Sequence, residues 1–65
     1  MTNDQKKEIT LNSLKIAKEH LETAAALLQN TYMEISRYSV VAYTMNNHTI
    51  SEITEEIERV EEICT

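Results

Sequence analysis

The run "YSVVAYTMNNHTISEI", residues 38–53, joins an apolar segment to an acidic one through two asparagines and a histidine. Its first part, Tyr38 to Met45, is apolar around nearly the whole circumference of a helix and rich in β-branched and aromatic residues, a composition that strands also favour. The flanking pattern is helical and the chain offers no obvious strand partner, so the segment reads as helix. At "NNH", residues 46–48, asparagine is able to take the left-handed conformation that ends a helix where glycine is absent. "TISE", Thr49 to Glu52, then has the form of a capping box. The expectation is a chain that turns back at 46–48 and continues as a return helix over residues 50–63.

The isoleucines that follow support a helix there. Ile50, Ile53, Ile57, Val60 and Cys64 recur in three-four steps, the spacing of one helical face. Upstream, Leu14, Ala17, Leu21, Ala24, Leu28, Ile35, Tyr38, Ala42 and Met45 repeat the pattern, with Thr31 filling one apolar slot. Thr2 and Gln5 form a further capping box, which starts the first helix near Asn3. The fold class expected is all-α: a helical hairpin or small three-helix bundle, with a long N-terminal helix and a short antiparallel C-terminal return helix, in one domain covering residues 1–65. In that arrangement Ile50, Ile53, Ile57 and Val60 pack on Ile35, Tyr38, Ala42 and Met45.

Two versions follow from "NTYME", residues 30–34, where Thr31 and Glu34 offer another capping box behind Asn30. If it is used, helices at 3–29, 32–46 and 50–63 form a monomeric bundle. The apolar stripe crosses from Leu28 to Ile35 in register, which favours continuity instead. A continuous helix of about 43 residues spans roughly 65 Å, and the return helix covers its last third alone. Leu14, Leu21 and Leu28 then form a seam for a second chain, and a homodimer is expected. Val40, Val41 and Tyr43 lie outside the face covered by the return helix and need another cover: either the N-terminal segment, which makes them ordinary core of a small bundle, or a different polypeptide, which makes them a candidate oligomer or partner interface.

Composition sets the remaining limits. The 65 residues and 7.5 kDa make at most one domain, with one cysteine, no glycine and no proline. A chain of this size buries only about 60% of its unfolded surface, and neither a disulfide nor a zinc set is available to reinforce it. Glycine-built phosphate loops and tight hairpin turns are excluded with the glycines. No apolar core of signal-peptide length follows "MTNDQKKEI", and "AAALL" and "VVAY" are far short of the ~20 residues that span a bilayer, so a cytoplasmic protein with no membrane association is expected. Cys64 reads as a helix-end filler, its alternative being a reactive thiol.

Charge is unevenly placed. Residues 1–48 carry five acids and five bases, whereas Glu52, Glu55, Glu56, Glu58, Glu61 and Glu62 face only Arg59 in the remainder, which holds the whole net charge of −5. Helical projection puts Glu52, Glu55, Glu56, Glu58 and Glu62 opposite the isoleucines. Glu55 and Arg59, four residues apart, are positioned to pair. The other glutamates repel one another near the negative end of the helix dipole. These five acids are the candidate partner-binding face, its alternative being a solvated surface.

Catalytic and metal motifs are lacking. His20 and His48 are far apart, "KEHLET" has neither a zinc-pair nor a carboxylate-bundle spacing, and no serine sits in a local nucleophile motif. No enzyme activity, cofactor or metal is expected. The lysines near the N-terminus are matched by acids, so no direct nucleic-acid contact is expected either. The function expected is a small non-catalytic protein–protein interaction regulator, an inhibitor or antagonist that uses the acidic C-terminal helix, with a basic nucleic-acid-binding protein as the kind of partner it suits. The alternative is a structural or chaperone-like helical subunit that completes a partner's bundle.

Overall fold

A computed structural model describes residues 2–29 and 36–63. It contains two helices packed against each other, α1 (Asn3–Leu27) and α2 (Arg37–Glu61), and no strand among the described residues. The first capping box is in place: the Thr2 amide donates to Gln5 Oε1 at 2.9 Å, and the Gln5 amide donates to Thr2 Oγ1 at 3.1 Å. Asp4 adds an acid to the first turn, where the helix dipole favours it.

The expected turn at 46–48 is overturned, because α2 runs through Asn46, Asn47 and His48 without interruption. No described residue has a positive φ, so neither asparagine uses its left-handed option. The Thr49 hydroxyl donates to the Met45 carbonyl at 3.0 Å, the mid-helix habit of threonine, instead of capping a new helix. His48 Nε2 meets Glu52 Oε1 at 2.8 Å, one turn further on. Energetics explain the outcome. Asparagine and histidine each cost a helix about 0.7 kcal/mol or less relative to alanine. Burying a single large apolar side chain is worth about 1.5–3 kcal/mol, and a break here would strip both Tyr43 and Ile50 from the helix interface.

The long helix reaching residue 46 and the short return helix are therefore both replaced by two helices of 25 residues each. The separate helices at 32–46 and 50–63 are likewise merged into α2 from Arg37 onward. The Thr31–Glu34 capping box, Ile35 and Cys64 lie outside the described residues.

Lys7 fixes how the helices lie. Its ammonium donates to the Glu61 carbonyl at 3.1 Å and to the Ile63 carbonyl at 2.7 Å, so the start of α1 sits beside the end of α2. At the other end of α1, Glu22, Ala25, Ala26 and Gln29 share a shallow groove with Tyr43, Asn47 and Ile50. Between these contacts, Lys7, Leu11, Leu14, Lys18, Leu21, Ala25 and Leu28 are all half-buried or buried, and so are Ser39, Tyr43, Asn46, Ile50, Ile53, Ile57 and Val60. Both sets step by four and three, the heptad spacing of a coiled-coil seam. Leu14, Leu21 and Leu28, expected to meet a second chain, are half-buried on the side of α1 that packs on α2. Tyr38 and Met45, expected in the core, stand exposed, because the seam uses the neighbouring positions Ser39 and Asn46.

Asn46 is the one amide in this seam, and a polar residue at such a position trades stability for a unique register. Asn46→Leu should raise the unfolding free energy by about 1 kcal/mol while broadening amide resonances through alternative registers. Urea melts and a nitrogen-proton correlation spectrum would show both effects, and a destabilised variant would contradict this role for Asn46.

Candidate interaction surfaces

The acidic ribbon occupies the last turns of α2. Glu52, Glu55, Glu58 and Glu62 are exposed, while Glu56 is half-buried. The expected Glu55–Arg59 pair is not the one that forms. Arg59 Nε donates to Glu56 Oε2 at 3.0 Å and its terminal nitrogen contacts Glu56 Oε1, so the guanidinium grips the carboxylate three residues before it with both arms. That two-point geometry is the favoured way for arginine to hold a carboxylate, and the Glu56 position offers it.

Hydrogen bonding from Arg59 holds the Glu56 carboxyl below its ordinary value; desolvation opposes this, and the positive charge of Arg59 adds to it. Since the folded value is depressed, the pair's contribution to stability is present above the ordinary carboxylate range and is lost as pH falls through the lowered value. Carboxyl carbon shifts of Glu56, followed by NMR through an acid titration, should therefore move at lower pH than those of a glutamate in an unfolded peptide. An ordinary midpoint would show that the Arg59 grip is absent in solution.

The crowding of acids near the negative end of α2 is offset from the other helix. The Lys7 ammonium donates to the carbonyl of Glu61, the last residue of α2, and to that of Ile63 just beyond it, a favourable place for a cation. Lys6 and Lys7 line a groove with Asn3, Thr10, Glu56, Arg59, Val60 and Ile63. The start of α1, with Lys6 and Lys7, is thus folded beside the acidic end of α2.

The apolar candidates separate into two groups. Tyr43 is half-buried and lines the groove with Ala25 and Ile50, and Leu14, Leu21 and Leu28 lie in the seam. Val40 and Val41 remain exposed. Larger exposed apolar side chains were not among the sequence candidates: Ile9 (52%), Ile16 (56%) and Leu27 (57%) on α1, with Tyr38 (71%) and Met45 (64%) on α2. Tyr38 is partly shielded by the Arg37 guanidinium, 5.3 Å from its ring centroid. The sequence signal for the α1 group was available, because Ile9, Ile16 and Leu27 fall within about 20° of one another at 100° per residue. The stripe of Leu14, Leu21 and Leu28 was the stronger one and masked it.

Among the described residues no group of three or more His, Cys, Asp or Glu side chains is placed to hold a metal ion, and no helix is long and apolar enough to cross a membrane. No family model matches the chain, and neither the curated proteins nor the solved structures compared with it include a significant match.

Proposed function

We propose that the chain is a non-catalytic protein–protein interaction subunit, a two-helix layer that completes a helical bundle together with another polypeptide. One observation carries this reading. The accessible surface is 5097 Å², whereas a compact monomer of this mass exposes about 4,200 Å². The elongation agrees: the radius of gyration is 15.0 Å, against about 10.7 Å for a compact domain of the same length. Among the described residues only Ala25, Ile57 and Val60 count as buried apolar core. Two helices with so thin a seam fall short of the burial that offsets chain entropy, so a further apolar layer is needed.

Amide hydrogen exchange in the dilute, dissociated protein tests the reading. Opening free energies of about 2 kcal/mol or less throughout α1 and α2 are expected. Protection above about 5 kcal/mol in the dissociated chain would show that the layer is sufficient by itself.

A second reading keeps the acidic ribbon as the working surface, in a regulator or inhibitor that docks on a basic, nucleic-acid-binding partner. It is supported by the exposure of Glu52, Glu55 and Glu58 along α2. Association through these carboxylates would weaken steeply with salt, whereas association through apolar side chains would be nearly indifferent to it. With a basic partner in hand, Glu55→Gln together with Glu58→Gln should lower affinity and flatten the salt dependence. Unchanged binding at low and high salt would leave the bundle-completing reading alone.

A further inference from the structure

On α1, the face turned away from α2 carries a second heptad stripe: Ile9, Ser13, Ile16, His20, Thr23 and Leu27. No Asp, Glu, Lys or Arg of α1 projects within about 50° of its centre line at 100° per residue. The equivalent outer stripe on α2 begins with Tyr38, Val41 and Met45 but continues into His48, Glu52 and Arg59, so it is apolar for its first turns only. Of the two outer faces, the one on α1 is the longer uncharged surface.

We infer that this face binds a second copy of the chain, α1 against α1 in opposite directions, a step that rests on the bundle-completing reading and names the partner. Three observations support a copy of the same chain as the occupant. A two-fold contact must be self-complementary, each residue meeting on the partner the residue that meets it in return. The stripe's spacing reads the same in both directions about Lys18, so Ile9 of one chain falls opposite Leu27 of the other, Ser13 opposite Thr23, and Ile16 opposite His20. Second, a shallow groove lined by Glu19, His20, Thr23, Ala24 and Leu27 lies on this face, where that register delivers the partner's Ile9. Third, the surface in excess of a compact monomer is about 900 Å², close to the roughly 800 Å² that each partner buries in a standard specific interface. Ala17 and Ala24 flank the stripe and allow close approach.

Sedimentation equilibrium of the intact chain, with circular dichroism on the same samples, tests the inference. A dimer is expected. Ile16→Glu should raise its dissociation constant about a hundredfold or more, because two carboxylates would be desolvated at the centre of the contact, while helix content at high concentration is kept. Val41→Glu, on the other helix, should leave the dimer unchanged. Orientation is read from cysteine crosslinking in a Cys64→Ser background: Ile9→Cys chains should link to Leu27→Cys chains and not to one another. This pair also decides the matter if Ile16→Glu loses its helix. A dimer indifferent to Ile16→Glu, or an Ile9–Ile9 crosslink, would overturn the α1 contact. A monomeric native chain would overturn it too: with weakly protected amides only the second copy is refuted, and with strong protection the bundle-completing reading falls as well.

Discussion

Leu21→Glu should unfold the hairpin. Leu21 is half-buried in the middle of the seam between α1 and α2, so a carboxylate there must either lose its water or push the helices apart. In its assembled form, at roughly 0.05–0.15 kcal/mol per residue, a chain of this length has about 3–10 kcal/mol of stability in total. Desolvating an unpaired charge costs several kcal/mol after relaxation, which is comparable to the whole. The measurement is the helical signal at 222 nm at a concentration where the native chain is folded, with its loss as the expected outcome. If Leu21 faced a second chain instead, the variant would stay helical as a separated monomer. Retention of helix with a change of mass alone would therefore return Leu21 to an intermolecular seam.

Ile57→Ala is expected to cost about 2–4 kcal/mol, the range for emptying a well-packed isoleucine site. Ile57 retains 8% of its accessible surface, and with Val60 and Ala25 it forms the buried core of the described residues. Its seam neighbour Ile53 is only half-buried, so Ile53→Ala should cost less. Thermal melts of the two variants compare them directly. A loss below about half a kcal/mol at Ile57 would mean that the isoleucine face is not packed on α1, and a larger loss at Ile53 than at Ile57 would contradict their order of burial.

Much of the helical face was legible in the residues themselves. Ile50, Ile53, Ile57 and Val60 lie in the seam as their spacing requires, and so do Leu14, Leu21 and Leu28. The Thr2–Gln5 box starts α1 where two polar side chains and two orphan amides match. Connectivity was harder to read, for a physical reason. Asparagine tolerates both a helix interior and a left-handed end, and a difference of a few tenths of a kcal/mol per residue is settled by packing elsewhere. "NNH" became helix because the seam continues across it through Asn46 and Tyr43, a continuation that Ser39 and Asn46 conceal by being polar. Thr49 was equally ambiguous. The hydroxyl that would cap a helix instead bonds to the carbonyl four residues earlier, as Thr44 and Thr54 also do. In the acidic segment the charges were legible and their partners were not: Lys7 reaches the end of α2 only because the chain folds back, which no local spacing encodes.

The fold-back itself is tested most directly by a distance. Spin labels at Thr10→Cys and Arg59→Cys, in a Cys64→Ser background and diluted with unlabelled chain, report the separation within one molecule. Both positions line the groove between the start of α1 and the end of α2, so with packed helix axes 8–10 Å apart the labels should lie within about 20 Å of each other. A helix continuous to residue 46 with a short return would instead place Arg59 some 27 residues along from Thr10, about 40 Å away at 1.5 Å per residue. A distribution centred below about 20 Å agrees with the hairpin described above, and one centred near 40 Å contradicts it.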